Sequence, residues 1–166
     1  SETLAEHEMH EEWICITKKQ LHELIEAKHI LAVGTTSLRH LESMYWLGVL
    51  MRDSKNALST FHLKQWQPYE IQSSLSKNEA LKVLLHKMET EQLDEFYTTT
   101  QLLIVPGYNF RIANALLTNF HQPGSTLLLL VAAAVGDKWK TIYDYALHHQ
   151  FRFLSYGDSS LLWADK

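Results

Sequence analysis

The sequence predicts an α/β protein built from strand–helix units, and three observations support that fold class. Apolar runs rich in β-branched residues alternate with segments whose apolar residues recur at helical spacing. Glycine closes several of the apolar runs, as at Gly34 and Gly107, where a strand is expected to end. The 166 residues are enough for one domain with a sizeable core and too few for two ordinary ones. We therefore expect a single α/β unit over residues 1–166.

The first half of the chain predicts two strand–helix units followed by irregular chain. Leu21, Leu24 and Ile25 recur at helical spacing after a short apolar strand. A second apolar run ends at Gly34 and leads into a helix with Leu38 on its buried stripe. The predicted elements are a strand at 13–16, a helix at 18–28, a strand at 30–33, a helix at 37–50 and an irregular excursion at about 52–76.

The second half predicts the rest of the sheet and three more helices. Ser76 and Glu79 have the spacing of a capping box at a helix start. Pro106 and Gly107 close an apolar strand, and Gly136 separates two helical segments. The predicted elements are a helix at 77–92, a strand at 98–105, one strand or two within 110–120, helices at 125–135 and 137–149, and a strand at 151–154.

Charge argues against a protein that holds nucleic acid through its overall electrostatic field. The formal net charge is −4 and the sequence pI is about 6.2. Any affinity for nucleic acid would need a local basic face. Alternatively, the basic residues named below are ordinary solvated surface residues. The candidates for that face are Arg111, Lys138, Lys140 and Arg152.

The chain is expected to be soluble and cytoplasmic. Cys15 is the only cysteine, so an internal disulfide is excluded. The N-terminus is acidic and polar, unlike a signal peptide. The longest apolar run, from Leu127 to Val135, is far shorter than the roughly 20 residues that span a bilayer.

Polar residues crowd the junction between two apolar runs at residues 114–136. Strand alternation places Asn119 and His121 on the same side, and the turn that follows interrupts the strand. Ser125 or Gly124 can cap the next helix, whose first N–H groups would face a ligand above the turn. His121 suits proton transfer near neutral pH, and the alternative is a structural histidine with its hydrogen bonds satisfied.

Two further turns carry candidate ligand-binding groups. Thr35 and Thr36 follow Gly34, where backbone N–H groups and hydroxyls meet an anionic or ribose-bearing ligand in many α/β proteins. The alternative is an N-cap at Thr36 or Ser37. Asp158 offers a carboxylate to ribose hydroxyls or a cation, with a tight turn as the alternative.

A cluster of histidine and glutamate near the N-terminus suggests a metal site. His7 and His10 are three residues apart, but no third ligand stands at a characteristic spacing and the HExxH pattern does not occur. A metal-dependent hydrolase is therefore the last of the functions that we consider. The cluster comprises Glu6, His7, His10, Glu11 and Glu12.

Long segments of the chain resemble one known family, the S-adenosylmethionine:tRNA ribosyltransferase-isomerases. The segments are GTTSLRHLES at 34–43, PGYNFRIANALLTNFHQPGSTLLLLVAAAVG at 106–136 and FRFLSYGDSSLL at 151–162. They are long, unusual and in the family's order. The opening EHEMHEEW at 6–13 also resembles the family.

The resemblance implies an enzyme of queuosine biosynthesis that uses S-adenosylmethionine as cosubstrate. The family transfers and isomerises the ribosyl moiety of S-adenosylmethionine to 7-aminomethyl-7-deazaguanine in tRNA, giving epoxyqueuosine with release of adenine and methionine. Such chemistry needs an acid or base poised near neutral pH. The implied proton-transfer residues are His121, His10 and Asp158. The implied S-adenosylmethionine-binding residues are Gly34, Thr35, Thr36, Arg39, Asn119, Ser125 and Tyr156. No metal is implied.

The resemblance also implies that the chain is the later part of a longer fold. The family has a barrel-like α/β main domain and a small β-barrel domain, and this chain lacks the N-terminal part and the small barrel. A sheet without its first strands exposes an edge and apolar faces, which a homodimer would cover. The alternative function is a non-catalytic fragment that retains part of the S-adenosylmethionine pocket.

Overall fold

The structure is a computed structural model, and it describes residues 9–164. Five strands and six helices form the regular part of that range. The strands are β1 (Glu12–Thr17), β2 (Leu31–Val33), β3 (Glu95–Thr100), β4 (Ala115–Asn119) and β5 (Ser159–Trp163). The helices are α1 (Lys18–Glu26), α2 (Thr35–Met51), α3 (Gln67–Glu70), α4 (Lys77–Thr90), α5 (Thr126–Val135) and α6 (Lys138–His148). The predicted α/β class is confirmed.

The described residues group into two compact units, whereas the sequence predicted one unit over 1–166. The first unit holds 9–28 and Ser43–Leu103, and the second holds His29–Glu42 and 104–164. Each unit has its own sheet, with β1 and β3 in the first and β2, β4 and β5 in the second. Sequence periodicity identifies strands but does not indicate which strands pair, so it does not predict this division.

The first unit is a two-stranded antiparallel sheet packed with helices. Glu12 pairs with Thr100 at one end and Thr17 with Glu95 at the other. Thr17 also caps α1, because its side chain accepts a hydrogen bond from the backbone N–H of Gln20. The predicted capping box of α4 is confirmed. Its predicted stripe is also buried, and comprises Leu81, Leu84, Leu85 and Met88.

The irregular segment at 52–76 is anchored to the first unit by a few hydrogen bonds. The backbone N–H of Leu58 donates to Glu91 Oε1 at 2.8 Å, and the Tyr69 hydroxyl donates to the Leu103 carbonyl at 2.9 Å. Leu63 forms a parallel bridge with Thr100 and is buried. The segment contains a short 3-10 turn and α3, and its apolar side chains contribute to the core.

Within the first unit, the later part of α2 is buried on all sides. The sequence predicted one stripe, but the side chains from Met44 to Leu47 are all buried. Gly48 allows close packing against α4, since a Cβ at that position would lie 2.1 Å from the Ala80 carbonyl oxygen. A helix enclosed in this way has no polar face, which explains why its apolar periodicity is weak.

The second unit contains a three-stranded sheet in the order β2–β4–β5. β2 runs parallel to β4, with Val33 opposite Leu117, and β5 runs antiparallel to β4, with Ser159 opposite Asn119. Ala32, Leu116 and Leu162 lie side by side across the sheet and are all buried.

Two predicted strands are wrong in position. The apolar end of the strand predicted at 98–105 lies beyond β3, and Leu102, Leu103 and Ile104 are buried without being part of a strand. An apolar run indicates that its residues are buried, but it does not show that they pair in a sheet.

The strand predicted at 151–154 is not a strand. Phe151 and Phe153 pack instead on Phe120, with ring centroids 5.6 and 5.5 Å away. Leu154 has a φ of +63° and begins a 3-10 turn, which ends the extended chain. The strand of this region is β5, which begins five residues later, at Ser159. Within residues 9–164, no helix combines the length and apolar character needed to cross a bilayer.

Candidate functional site

Three chain turns meet at one edge of the sheet in the second unit. β2 and β4 are parallel, so both end at this edge, and the antiparallel β5 begins there. Gly34 follows β2 and donates its N–H to the Leu117 carbonyl at 2.8 Å. His121 follows β4, and Asp158 immediately precedes β5. The carboxyl edge of parallel strands is where α/β sheets bind ligands.

The first turn starts α2 earlier than the sequence predicted. Gly34 has a φ of +88°, and the helix begins at Thr35 instead of residue 37. Thr36 and Ser37 therefore lie inside the helix, so the alternative that one of them is the N-cap is wrong. Thr35 is half-buried and Thr36 is exposed. The first N–H groups of the helix lack acceptors within it and point toward this edge.

The second turn leads from β4 into α5. Of the two residues that the sequence allowed as the N-cap, Ser125 rather than Gly124 is the cap, and it accepts a hydrogen bond from the backbone N–H of Leu128 at 3.3 Å. Its hydroxyl donates to the Gln122 carbonyl at 2.9 Å. These two bonds account for the Ser125 hydroxyl by local structure, while the start of α5 places a second helix N-terminus after β4.

His121 is buried beside two hydroxyl groups. Its Nε2 lies 2.9 Å from Thr118 Oγ1, and its backbone N–H donates to the Tyr143 hydroxyl at 3.0 Å. Only 8% of His121 is exposed. Burial lowers the pKa of His121 below its ordinary value of 6.5, so the ring is neutral at neutral pH. A neutral imidazole can accept a proton at one nitrogen or donate one from the other.

The third turn is tied to the second by hydrogen bonds. Asn119 donates from Nδ2 to the Asp158 carbonyl at 3.1 Å. The Asp158 carboxylate accepts from the backbone N–H of Arg152 and from its Nε, the latter at 3.1 Å. Hydrogen bonding to Arg152 lowers the pKa of Asp158, with a smaller contribution from the arginine charge. The ionised carboxylate is better suited to bind a hydroxyl or a cation than to accept a proton.

Tyr156 is one of the exposed residues of the predicted site. It lies in the 3-10 turn before β5, with 74% of its surface exposed. The sequence placed Tyr156, Gly157 and Asp158 after a strand, whereas they precede one. Gly157 has a φ of +120°, which L side chains rarely adopt.

A buried carboxylate that the sequence did not single out as buried stands behind this edge. Glu42, on α2, accepts hydrogen bonds from the Tyr108 hydroxyl and from the backbone N–H groups of Arg111, Ile112 and Ala113, at 2.8 to 3.0 Å. It is fully enclosed. Burial raises the pKa of Glu42 above its ordinary value of 4.5, and the four hydrogen bonds oppose that rise.

Helical spacing contained a signal for the burial of Glu42. Leu38, Glu42 and Tyr45 are four and three residues apart, so the acid shares a face with two core residues. Arg39 and Glu42 are three residues apart on the helix, a spacing that fits either a surface pair or two anchors facing the pocket. The structure buries both, with Arg39 5% exposed.

His10 belongs to the first unit, and the other predicted site residues belong to the second. It is exposed just before β1, in a shallow cavity shared with Met9, Glu11 and Gln101. Of the histidine and glutamate cluster near the N-terminus, Glu6 and His7 lie outside the described residues. Residues 9–164 contain no group of three or more histidine, cysteine, aspartate or glutamate side chains able to hold a metal ion.

The candidate basic residues all lie in the second unit. Lys138 and Lys140 are exposed in the first turn of α6. Arg152 is engaged by Asp158, and the backbone N–H of Arg111 donates to Glu42. Both lysine side chains are exposed.

Comparisons with known proteins identify the family of the chain. The family model described as "Queuosine biosynthesis protein" matches residues 1–162. Proteins named "S-adenosylmethionine:tRNA ribosyltransferase-isomerase" from Polynucleobacter asymbioticus and Cereibacter sphaeroides are 36% and 33% identical over 97% of this chain. These matches cover 34% and 36% of the two proteins, so the chain spans about a third of the length of the curated relatives.

A solved structure with a similar fold comes from a protein with a related name. The crystal structure of the S-adenosylmethionine tRNA ribosyltransferase from Thermotoga maritima matches with a TM-score of 0.57 and 28% sequence identity. The match covers 89% of this chain and 39% of that one. The chain therefore corresponds to part of a larger structure.

Proposed function

Because the chain belongs to the family of queuosine biosynthesis proteins, we propose that it forms part of an S-adenosylmethionine-dependent tRNA ribosyltransferase-isomerase. The complete enzyme would transfer and isomerise the ribosyl moiety of S-adenosylmethionine to 7-aminomethyl-7-deazaguanine in tRNA. The products would be epoxyqueuosine, adenine and methionine. The chain spans about a third of its named relatives, so this activity is proposed for the whole protein.

The observation that carries the proposal is the meeting of three polar turns at the carboxyl edge of β2 and β4. S-adenosylmethionine presents ribose hydroxyls, a carboxylate, an adenine ring and a sulfonium cation. Backbone N–H groups at Thr35 and Thr36, in the first turn of α2, suit the oxygen-rich groups. The ionised Asp158 suits a cation or a ribose hydroxyl, and Tyr156 presents an exposed ring for stacking or for a cation–π contact.

Proton transfer is assigned to His121. The reaction needs a proton removed near the sulfonium carbon and a proton supplied to the departing adenine. His121 is neutral at working pH and lies at the turn after β4. His10 remains the second candidate, and Arg39, Asn119 and Ser125 are proposed as binding or supporting groups.

The proposed macromolecular partner is tRNA carrying the precursor base. The net charge of −4 requires that tRNA be held by a local surface, for which Lys138 and Lys140 are the accessible cations. A cytoplasmic location and a homodimer stay predictions.

Calorimetry with S-adenosylmethionine tests the proposed pocket. Asn119→Ala removes a side-chain amide at the sheet edge and is expected to weaken binding about tenfold, as loss of a single hydrogen bond does. Asn109→Ala, at an exposed position in the same unit, is the matched control and should bind as the original chain does. Absence of any binding heat with the unaltered chain would contradict the proposal.

The second candidate function is a non-catalytic fragment that retains part of the pocket. Its support is that Gly34, Asn119 and Asp158 lie together in the second unit. An adenine-release assay on tRNA bearing the precursor base separates the two functions. Release by the chain alone supports the enzyme, whereas S-adenosylmethionine binding without release supports the fragment.

A further inference from the structure

A groove of about 500 Å³ lies in the second unit beside the candidate site. It is lined by α6, the start of α5, the turn after β4 and Phe153. Its size falls within the range of roughly 300 to 1,000 Å³ that ligand pockets usually have. Gln122 lines the groove and directly follows His121. None of the proposed S-adenosylmethionine-binding residues lines this groove.

Aromatic rings form its apolar wall. Trp139 and Tyr143 are four residues apart on α6, and their ring centroids are 5.9 Å apart at an interplanar angle of 78°. Tyr143 meets Phe153 in the same edge-to-face manner at 5.8 Å. Tyr143 is buried, whereas Trp139 and Phe153 are half-buried, so part of each of these two rings remains open to the groove. Trp139 and Phe153, both half-buried and both in contact with the buried Tyr143, therefore offer a surface on which a planar ring can stack.

Charged and polar groups stand along the same groove. Lys140 and Asp144 are four residues apart on α6, and neither side chain takes part in an ion pair within residues 9–164. Gln122 adds an amide. An apolar peptide segment in this groove would cover both charges without pairing them, which is costly. A nucleotide would use them, with its phosphate at the lysine and its base edge at the carboxylate or amide.

We propose that this groove binds one unpaired base of an RNA strand, stacked on Trp139 and Phe153 with a neighbouring phosphate at Lys140. The choice of RNA rests on the proposed function. Unpaired RNA bases are commonly bound by stacking on aromatic side chains. The Tyr143 hydroxyl accepts a hydrogen bond from the His121 backbone, so the base would lie against the turn that carries the candidate catalytic histidine.

Fluorescence anisotropy with a labelled single-stranded RNA tests the groove. Trp139→Ala is expected to weaken binding about 5- to 100-fold, the loss that removal of one stacking ring produces. The matched control is Trp13→Ala, because Trp13 is 80% exposed in the first unit and should leave the affinity unchanged. Circular dichroism confirms that both variants fold.

Lys140→Gln provides a second test of the groove, and it changes an exposed lysine instead of an aromatic side chain in the wall. It should weaken RNA binding and reduce the slope of log affinity against log salt by about one. Lys64→Gln, at an exposed lysine of the first unit, is its control and should change neither quantity.

The proposal fails if the unaltered chain does not bind the RNA, or if Trp139→Ala and Lys140→Gln both bind it as well as the unaltered chain does. It also fails if adenosine monophosphate alone binds as tightly as the RNA, since the groove would then take a free nucleotide. Calorimetry with S-adenosylmethionine is independent of these results. If the chain does not bind S-adenosylmethionine but Trp139→Ala still weakens RNA binding, the proposed function is overturned and the RNA groove is retained.

Discussion

Thr118 and His121 form a buried hydroxyl–imidazole pair at the candidate site. The Thr118 hydroxyl lies 2.9 Å from His121 Nε2, and among residues 9–164 it has no other hydrogen-bond acceptor. A buried hydroxyl that donates to Nε2 requires that nitrogen to be unprotonated. We infer that Thr118 is the donor and that the neutral ring carries its proton on Nδ1, in which case protonation at Nε2 would break the Thr118 bond.

Removing the Thr118 hydroxyl should change both the tautomer and the pKa of His121. In Thr118→Val the pKa of the ring is expected to rise, because the bond that favours its neutral form is lost. The proton of the neutral ring should redistribute toward Nε2. Nitrogen-15 chemical shifts of the ring, followed across pH, measure both effects. Thr118→Ser should restore the original shifts, and an unchanged tautomer in Thr118→Val would refute the assignment.

Glu42 links the pH dependence of stability to a single buried carboxyl. Burial raises its pKa above 4.5, so between that pH and the raised pKa the folded chain holds a proton that the unfolded chain has released. The contribution of Glu42 to the free energy of unfolding is therefore complete below pH 4.5 and falls as pH rises through the raised pKa.

Glu42→Gln should expose this dependence. The amide turns N–H groups toward backbone N–H donors, so the variant is expected to lose about 1 to 3 kcal/mol of unfolding free energy. Because glutamine does not titrate, the gap between the original chain and the variant should be larger at pH 5 than at pH 8. Urea unfolding at the two pH values measures it, and a gap that widens with pH would contradict the expected sign.

At the scale of single elements, α1 and α4 each begin at a capping box. Ser76 accepts from the backbone N–H of Glu79 at 3.2 Å, and Glu79 Oε2 accepts from the backbone N–H of Ser76 at 2.7 Å. α1 begins in the same way at Thr17 and Gln20. Both boxes satisfy N–H groups that the helix itself leaves unbonded.

Ser76→Ala tests the contribution of one such cap. Loss of the side-chain acceptor is expected to lower the free energy of unfolding by about 1 kcal/mol. Ser59→Ala, at an exposed serine in the same unit, serves as the control and should stay within about 0.5 kcal/mol of the original chain. Chemical denaturation gives both values, and equal losses in the two variants would argue against a specific cap.

At the scale of the whole molecule, an apolar sheet face stays exposed in the second unit. Leu31 lies beside Ala115 and Trp163, and Val33 lies beside Leu117 and Leu161, so these residues share one face. Val33 is 62% exposed and Trp163 is 63% exposed. Contiguous apolar surface of this kind promotes association.

Size-exclusion chromatography should therefore detect concentration-dependent association of the chain. Leu161→Lys places a charge in the exposed sheet face and is expected to shift the chain toward the monomer. Leu93→Lys, at an exposed leucine of the first unit, is the control and should elute as the original chain does. A monomer at every concentration of the unaltered chain would contradict the predicted homodimer.

Much of the candidate site followed from local chemistry. Gly34, Asn119, His121 and Asp158 stand at turns that sequence pattern alone could locate, and Ser125 is the predicted cap. The sequence did not predict the buried hydrogen bonds of Glu42, because their donors lie about 70 residues away, in a segment with no regular structure. The strand predicted at 151–154 failed because aromatic packing on Phe120 produces the same apolar pattern as a buried strand.

The sequence by itself determined the α/β class, the capped starts of α4 and α5, the buried stripe of α4 and the family to which the chain belongs. These depend on residues a few positions apart, whose spacing can be read directly. Only the tertiary structure decided which strands pair, that the later part of α2 is enclosed on all sides, and that the turns after β2 and β4 meet the start of β5. Strand pairing and burial depend on contacts between distant residues, and no local pattern encodes the partner.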